Sequence, residues 1–548
     1  MPFTHHHSPI TNYELNASRS LERFTLYLFA SAAFLAAVYL FLTFRIVPVN
    51  EDAGTFIPIA REVLQGAVPT KDVMTWKTPG MYYLAALWMK FFGTAYERVV
   101  LLVYLVNILN CLLLYLALSR FVSSRIARLL LCLSYFYSAL LFEGFWVVLE
   151  PFQVAFILAA YLVYSGGGEG LLKYGLTGLL LGCSIMTKQY SAFVLAGFLV
   201  AIWFDRRKEG GAAALKKMIV TALFATVPFF VFVGLTGADM MNALRSFGAF
   251  GGISESYAAA GWSGPGRLIL GLLAGAVQAN WIFLPFVIFL ILLLRKSDYF
   301  SASGRAWVTV VILFVFSSLP LLVRQFNHYF LLVAPWSYLL LGMMLGPALD
   351  GGEKTGAKKG YVTAAAAVCI LVVLPVFLSA TPSFYYRPKV VIALFTLLFL
   401  AIVLGALYVG SRFSGYRFDT SAVVIALCAT VFFETLFLGM KLPLRELRVL
   451  KQEQTSEAKE INRVFTRGSS VYVIGYRPYV YVTCDFVNPL HDYEFGNAQL
   501  PVNDWDRIGS VLIGEESVPS YRSILDAHGF RKVGELKGRA EFFEKSKP

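Results

Sequence analysis

Thirteen apolar segments, separated by charged or Gly/Pro-rich breaks, run along most of this chain and constrain its fold more than any other feature. A helix needs about 20 mostly apolar residues to cross a bilayer, and inside lipid it must satisfy its own backbone polar groups. The segments are Phe24–Phe44, Val99–Leu118, Leu129–Phe142, Pro151–Tyr164, Leu172–Met186, Ala192–Phe204, Ile219–Leu235, Leu268–Leu294, Trp307–Val323, Phe330–Leu345, Val362–Ala380, Val390–Val409 and Ala422–Gly439. They predict an all-α polytopic membrane protein with about 13 transmembrane helices.

Composition agrees with a membrane protein and excludes an ordinary soluble one. Charged residues make up only 15% of the 548 residues, whereas about 25% is usual in soluble domains. No small-residue cleavage site follows the first segment, so we expect a retained span and not a removed signal peptide. Of the six cysteines only Cys484 lies outside the apolar segments, which argues against a disulfide framework.

Charge sorts the loops into two alternating sets. One set contains RFVSSRIAR, FDRRKEGGAAALKK, LRKSDYFSASGR, DGGEKTGAKKG and GSRFSGYR, and it carries the Lys/Arg excess that marks cytoplasmic loops. The net charge of +13 is explained by these loops, so it does not indicate a nucleic-acid partner. The opposite set begins with residues 45–98. We therefore predict a multi-pass protein of the inner (plasma) membrane whose first loop and tail face the periplasmic or extracellular side.

From Lys441 the composition changes to that of a small soluble domain. LPLRELRVLKQEQTSEAKEINRVF predicts a charged helix, VYVIGY, SVLIG and AEFFEK predict short strands, and SYRSILDAHG predicts a second helix. We expect residues 1–440 to form a transmembrane domain with an outward first loop at 45–98, and residues 441–548 to form a soluble α/β domain. Neither GxGxxG after a strand nor GxxxxGK[ST] occurs, so no nucleotide site is indicated.

Charged side chains lie at the mouth of the first span, in the stretch NEDAGTFIPIAREVLQGAVPTKDVMTWKTPGMYYLAA. A charge in or near a membrane is costly and usually faces a cavity or a partner. Asp52 opens an amphipathic helical pattern, and two interpretations stand. It caps the helix N-terminus, or it is a carboxylate at the rim of an intramembrane cavity, where it accepts a proton from a hydroxyl nucleophile.

Asp72 and Lys77 follow in PTKDVMTWKTPG, and Tyr82 and Tyr83 come directly after them. A solvated loop with an aromatic belt at the membrane interface accounts for the tyrosines. It accounts less well for the acidic and basic pair. A lysine beside a membrane cavity suits a phosphate, because its ammonium is a compact point charge.

Two more charges lie at predicted outer ends of spans. Glu150 precedes Pro151, which favours a helix start there; either the helix dipole alone explains the acid or the acid contacts substrate. Lys188, in IMTKQY, either snorkels to lipid headgroups or binds a phosphate.

The loop RQFNHYF places Arg324, Gln325 and His328 at another predicted outer end. Together they could orient sugar hydroxyls or a phosphate, although a lone histidine is often structural. Arg387, in FYYRPK, fits an interfacial cation better than a phosphate contact.

The order of residues in the first outward loop resembles that of the GT-C glycosyltransferases, in particular the protein O-mannosyltransferase and aminoarabinose transferase superfamily (glycosyltransferase family 39-like). The pattern is Asp–x–Gly–x–Phe from Asp52, then Ala-Arg, Gly, Asp, Lys–x–Pro and a Tyr pair. The resemblance implies that Asp52 is the catalytic base. Family members often have Glu directly after this Asp; Ala53 stands here, so any role of a second carboxylate is absent or falls to Glu51.

An acid at Glu150, a lysine at Lys188 and an HYF-like sequence before a proline also occur in that superfamily. The substrate-binding residues expected from the residues and the resemblance together are Glu51, Asp72, Lys77, Tyr82, Tyr83, Glu150, Lys188, Arg324, Gln325 and His328.

The resemblance implies a hexosyl- or pentosyltransferase of cell-envelope glycan biosynthesis, mannosyltransferase-like in kind. It would move a sugar from a polyprenyl-phosphate donor to a hydroxyl of a lipid, glycan or protein acceptor. No cofactor is required by this chemistry. A divalent metal ion stays an open alternative, with Glu51, Asp52 and His328 as candidate ligands, although their spacing forms no metal-binding pattern.

Other classes of protein remain open. A polytopic transporter or lipid-linked-sugar flippase predicts internal symmetry and Gly/Pro-broken spans near the midplane; the sequence shows no convincing repeat, and its charges cluster at outer ends. A non-catalytic scaffold predicts no dependence on Asp52. An oligosaccharide polymerase or ligase predicts larger outward loops rich in Arg and His. The Gly-rich loop Ala238–Arg267 is expected to be a mobile lid over substrate.

Overall fold

The structure is a computed structural model of the chain. It describes residues 41–248, 300–349, 444–490 and 505–546, apart from short gaps within these ranges, and scattered positions between 27 and 40. Among the described residues before the terminal segment, the α-helices in chain order are α1 (Glu51–Leu64), α2 (Gly80–Phe92), α3 (Tyr96–Leu118), α4 (Arg125–Ala139), α5 (Glu150–Ser165), α6 (Leu171–Thr187), α7 (Ser191–Arg206), α8 (Gly211–Thr236), α9 (Met240–Gly248), α10 (Phe300–Val323) and α11 (Phe330–Leu349).

The predicted spans that fall on described residues are helices. Eight of them coincide with α3 to α8, α10 and α11; most ends differ by a few residues, but α8 and α10 begin eight and seven residues earlier than predicted. Within the described ranges, α3 and α8 are long and apolar enough to cross a membrane by length and composition alone. Outside the described residues lie Leu268–Leu294, Val362–Ala380, Val390–Val409, Ala422–Gly439, part of Phe24–Phe44, and the predicted lid beyond Gly248. The count of about 13 spans therefore stays a prediction.

Contacts divide the chain into two compact units. One unit comprises Met1–Phe41, Ile108–Phe142 and Ile269–Lys441, and the other comprises Leu42–Asn107, Glu143–Leu268 and Leu442–Pro548. The terminal segment thus belongs to the same unit as residues 45–98. The predicted boundary between residues 440 and 441 stays a prediction.

In the first unit, α4, α10 and α11 pack together through both apolar and polar side chains. The hydroxyls of Ser134 and Tyr338 lie 2.8 Å apart, and the ring of Tyr135 packs edge-on against Tyr338 at 5.8 Å. The indole of Trp336 donates to the Ser317 hydroxyl at 2.7 Å. These hydrogen bonds satisfy polar groups inside otherwise apolar helices, as a membrane setting requires.

In the second unit, α6 packs closely against α8 through two glycines spaced four residues apart in the sequence GLLLG. A Cβ atom on Gly178 would lie 2.1 Å from the Thr221 carbonyl oxygen, and one on Gly182 would lie 2.3 Å from that of Ala225. This is the close backbone approach that small residues permit between membrane helices. It fixes the position of α6, whose C-terminal end leads to Lys188.

Residues 45–98, the first predicted loop, contain two helices, α1 and α2, that pack against each other. Asn50 caps α1, because its side-chain oxygen accepts a hydrogen bond from the Ala53 amide at 3.2 Å. The rings of Phe56 and Tyr82 meet at a centroid distance of 6.3 Å. The middle of α1 is buried, which places the polar start of the helix at the edge of this packed region.

The terminal segment is an α/β domain. Its elements are α12 (Leu444–Val464), β1 (Tyr472–Ile474), α13 (Val480–Thr483), β2 (Ser510–Gly514), α14 (Val518–Ala527), β3 (Phe530–Leu536) and β4 (Ala540–Lys545). The strand order is β1-β2-β4-β3, with β1 parallel to β2 and the other neighbours antiparallel. Both predicted helices and all three predicted strands are confirmed.

Among the described elements of this domain, α13, β3 and the 3-10 helix Glu515–Ser517 were not predicted. The sequence of β3, FRKVGEL, is mostly charged or exposed, and it forms the edge of the sheet, where charged residues are usual. One face of the sheet carries Val511 and Phe543 in a core with Leu525 of α14. On the other face, Phe542 packs against Phe465 just after α12, at a ring distance of 5.6 Å.

Candidate functional site

Asp52 and Lys77 form an ion pair at the start of α1. The Lys77 ammonium lies 3.2 Å from Asp52 Oδ1, and the side chains are 27% and 32% exposed, respectively. Because Asn50 caps the helix, Asp52 is its second residue, and the interpretation of Asp52 as the N-cap is wrong. The charged pair is partly accessible to a substrate.

An aromatic ring holds Lys77 from a second side. Phe56 follows Asp52 by one helical turn, so both side chains lie on the same face of α1. The Lys77 ammonium lies 4.2 Å from the centre of the Phe56 ring, within the range of a cation–π interaction. The lysine is therefore fixed by one carboxylate and one ring of the same helix.

The loop that carries Lys77 is organised by Thr75. Its hydroxyl lies 2.7 Å from the Tyr82 hydroxyl and accepts a hydrogen bond from the Lys77 amide at 3.1 Å. Gly80, at the start of α2, lies against the end of α6: a Cβ there would be 2.5 Å from the Met186 carbonyl oxygen. The loop is thus anchored beside the segment that leads to Lys188.

A second ion pair joins Glu150, the first residue of α5, to Lys188 just after α6. The Lys188 ammonium donates to Glu150 Oε1, and the side chains are 10% and 0% exposed, respectively. Lys188 is thus buried in protein and does not snorkel to headgroups. The position of Glu150 at a helix start fits the dipole explanation, and the buried cation adds a stronger reason for the acid.

Gln153 holds the turn that carries Lys188. Its side-chain amide donates to the Lys188 carbonyl oxygen at 2.9 Å and to the Ser191 hydroxyl at 2.6 Å. The Ser184 hydroxyl completes the cluster at 2.7 Å from that of Ser191. Gln153 was not among the predicted site residues, although a glutamine within an apolar segment, one turn after Glu150, was a usable signal in the sequence; the structure shows it fully buried.

Asp72 and Tyr83 lie near each other, and their described contacts are with neighbouring groups of the protein. Asp72 is exposed, and its carboxylate accepts a hydrogen bond from the Val68 amide at 2.9 Å. The Tyr83 ring packs edge-on against Phe232 at 5.9 Å. Burial, and secondarily the Asp72 charge, raise the pKa of Tyr83. Contacts of these two residues with substrate stay a prediction, as do those of Tyr82, which is buried and bonded to Thr75.

Of the other predicted site residues, the structure describes some and not others. Glu51 is exposed on the first turn of α1. His328 lies in the 3-10 helix Asn327–Tyr329 of the other unit, buried and edge-on to the Tyr329 ring at 4.9 Å. Arg324, Gln325 and Arg387 lie outside the described residues. Among the residues described, no group of three or more His, Cys, Asp or Glu side chains could hold a metal ion.

Solved structures with a similar fold include two crystal structures of ArnT from Cupriavidus metallidurans. ArnT bound to undecaprenyl phosphate superposes with a TM-score of 0.55 at 16% sequence identity, over 94% of this chain and 98% of that chain. The apo state gives 0.54 at 16% identity, over 94% and 97%. An oligosaccharyltransferase from Archaeoglobus fulgidus gives 0.44 at 13% identity, over 96% and 74%. No protein-family model and no curated protein sequence matches the chain.

ArnT is a GT-C glycosyltransferase. The similarity therefore confirms the predicted fold class, an all-α membrane fold of the GT-C type followed by a small sheet near the C-terminus.

Proposed function

We propose that this chain is a membrane glycosyltransferase that moves a sugar from a polyprenyl-phosphate donor to an acceptor hydroxyl, on the outer face of the cytoplasmic membrane. The observation that carries the proposal is the Asp52–Lys77 ion pair at the start of α1. A carboxylate and a cation side by side and partly exposed are the two charges that this reaction needs. The similarity of fold to ArnT, crystallised with undecaprenyl phosphate, supports the choice of donor.

The reaction is a displacement at the anomeric carbon. The acceptor oxygen forms a bond to that carbon while the bond from the carbon to the phosphate oxygen breaks, and the bonding electrons leave with the polyprenyl phosphate. The acceptor proton passes to the Asp52 carboxylate, which acts as general base. A single displacement inverts the configuration of the anomeric carbon.

Lys77 stabilises the charge that grows on the departing phosphate. An ammonium has three donors, so Lys77 can contact the phosphate while it still orients the Asp52 carboxylate. Positive charge aimed at a developing anion is among the largest contributions to catalysis. Lys188 and Arg324 are proposed as further phosphate contacts, and Gln325 and His328 as partners of sugar hydroxyls.

The experiment is a donor screen on purified protein in lipid vesicles. Labelled polyprenyl-phosphate hexoses and pentoses are offered with lipid, glycan and peptide acceptors, and transfer is followed by product mass. Asp52→Asn should lower kcat by about 100-fold or more, because a general base contributes at least that much. Asp526→Asn, at an exposed aspartate of the terminal domain, is the matched control.

Full activity of a folded Asp52→Asn protein would overturn the assignment of the base. Movement of labelled donor between the two leaflets without consumption of donor would instead identify a flippase.

A further inference from the structure

The terminal domain holds α1 directly beside Asp52. The side-chain amide of Gln454, in α12, makes two hydrogen bonds to the backbone of Val49: its oxygen accepts from the Val49 amide at 2.8 Å, and its nitrogen donates to the Val49 carbonyl oxygen at 2.9 Å. Val49 is buried and precedes the helix cap Asn50. A residue 405 positions away thus fixes the backbone that leads into the first turn of α1.

A second contact lies one turn into the helix. A Cβ atom on Gly54 would lie 2.6 Å from the Pro478 carbonyl carbon and 2.6 Å from the Tyr479 nitrogen. Only glycine allows the helix to approach the terminal domain so closely. Because Gly54 follows Asp52 by two residues, this contact and the Val49 contact bracket the proposed base.

The segment that meets Gly54 is itself held by α12. The Tyr479 hydroxyl donates to the Glu457 carboxylate, at 2.9 Å from each oxygen. Glu457 is buried and also pairs with Arg539 at 3.1 Å. Glu457 and Gln454 are one turn apart in α12, so one helix supports both contacts with α1.

The far end of α1 has a third contact. The Arg61 guanidinium donates to Asp485 Oδ1 at 2.7 Å. Asp485 has a φ of 58°, a left-handed conformation that aspartate tolerates better than most residues. The terminal domain therefore contacts α1 before its first turn, within it and at its last turn.

We propose that the terminal domain positions the catalytic helix, and that Gln454 is the residue through which it sets the place of Asp52. The inference rests on the proposed function, since it assigns a role in the same site. Its physical reason is geometric: reacting groups must be held within a few tenths of an ångström, and a misplacement of 1 Å can lower the rate about 100-fold.

The first test replaces Gln454 without changing side-chain size. Gln454→Met removes both hydrogen bonds and keeps a good helix former of similar length. We expect a fall in kcat of about tenfold, because two hydrogen bonds of ordinary strength are lost, with the donor KM unchanged. Gln452→Met, two residues away on the same helix and exposed, is the matched control and should keep wild-type kcat.

A double-mutant cycle separates positioning from general destabilisation. If Gln454 acts through Asp52, Gln454→Met should have no further effect in an Asp52→Asn background. A merely structural role would lower activity by the same factor in both backgrounds, and that result would overturn the proposal.

The second test uses Gly54→Ala. Alanine favours helix over glycine, so α1 itself should form more readily while its contact with Pro478 and Tyr479 is lost. We expect kcat to fall about 100-fold, as for a displaced catalytic group. Gly234→Ala in α8 is the control, since a Cβ there meets nothing within 4 Å.

Amide hydrogen exchange supplies a readout that needs no transfer reaction. In Gln454→Met and Gly54→Ala, exchange at residues 53–55 should rise about tenfold, as expected for the loss of one or two stabilising contacts. Unchanged exchange would show that the terminal domain does not hold the first turn of α1, even if the proposed function held. If exchange rises in the variants but the native protein has no transferase activity, the contact with α1 stands and the proposed function is rejected. If exchange rises but the variants turn over normally, the proposal that the terminal domain positions Asp52 is rejected.

Discussion

The ammonium of Lys77 lies 3.2 Å from the carboxylate of Asp52, although 25 residues separate them in the sequence. Both side chains are about one-third exposed, and a pair of this kind contributes about 1 kcal/mol or less to stability. The contribution of the pair to the stability of the fold is therefore small, whereas its contribution to the rate of sugar transfer would be large. The difference in magnitude makes the pair easy to test.

Lys77→Met should lower kcat by about 100-fold, because a cation aimed at developing charge contributes about that much, and should change the melting temperature little. Lys77→Arg keeps the charge and should retain more than about a tenth of the activity, since arginine also binds phosphate well. Transfer rates and thermal unfolding in detergent measure the two effects.

Lys71→Met is the control for this series, since Lys71 is an exposed lysine of the same loop. Equal turnover in Lys77→Met and Lys71→Met, with both proteins folded, would show that the ammonium near Asp52 does not assist transfer.

The Glu150–Lys188 pair is buried, so loss of one partner should change the stability of the protein strongly, unlike loss of Lys77. Lys188→Met removes the ammonium that pairs with the buried Glu150 carboxylate, which should destabilise the protein by about 3 kcal/mol. The double variant Glu150→Gln with Lys188→Met removes both charges and should recover most of the lost stability. Melting temperatures of the three proteins measure this.

Activity of the double variant then decides what Lys188 does. If Lys188 contacts the donor phosphate, the double variant should be stable but have a donor KM raised about tenfold, the cost of one charge-assisted hydrogen bond. Wild-type kinetics in the stable double variant would show that Lys188 only neutralises Glu150.

The helices at the predicted apolar segments and the secondary structure of the terminal domain were predictable because they depend on local patterns. Apolar segments and alternation of polar with apolar residues decide which stretches become helices and strands. Asp52 and Lys77 could be singled out as candidate site residues because charges beside a span are costly; the structure pairs them, and their role in transfer stays a prediction. These inferences use residues that are close together in the sequence.

Contacts between distant backbone atoms were not predictable. Nothing in the residue pattern around Gln454 indicates that its amide binds the Val49 backbone, because a backbone group has no sequence identity. Gly54 was recognised as part of a motif, but its contact with Tyr479 depends on how two separate elements pack. Asp52 was one candidate for the helix cap, whereas the structure has Asn50 there; both residue types cap well, and only the residue at which the helix starts decides between them.

Cys484 should be unreactive in the folded protein. It is fully buried, and burial raises the pKa of its thiol to about 12. At pH 8 only about one molecule in ten thousand would carry the reactive thiolate. We expect no alkylation by N-ethylmaleimide within an hour under native conditions, and complete alkylation in urea, as measured by peptide mass.

Val487→Cys is the comparison for this measurement, because Val487 is exposed and lies three residues further along the chain. Its new thiol should be alkylated within minutes. Rapid native labelling of Cys484 itself would contradict the packing of the terminal domain around α13.

The buried Glu457 carboxylate accepts hydrogen bonds from the hydroxyls of Tyr476 and Tyr479, and this cluster should make the terminal domain lose stability at alkaline pH. Burial first, and then the hydrogen bond and charge of Glu457, raise the pKa of Tyr476 above its ordinary range. Burial and the Glu457 charge also raise the pKa of Tyr479. The charge of Arg539 lowers both pKa values by a smaller amount. In the unfolded chain these tyrosines ionise near pH 10. Above that pH the folded state holds more protons than the unfolded state, so the free energy of unfolding falls by about 1.4 kcal/mol per pH unit for each tyrosine. The stability is fully present below pH 10 and is lost as the pH rises toward the folded pKa.

Tyr476→Phe should therefore reduce this alkaline loss, since it removes one of the two protons that the folded cluster retains. Between pH 10 and 11 we expect the urea midpoint of the terminal domain to fall less in Tyr476→Phe than in the wild type, by the equivalent of about 1 kcal/mol. Alkylation of Cys484 as a function of urea reports the unfolding of this domain at each pH. If the urea midpoints of the two proteins fell in parallel across this interval, Tyr476 would ionise equally in the folded and the unfolded state. Glu457 would then not raise the pKa of Tyr476.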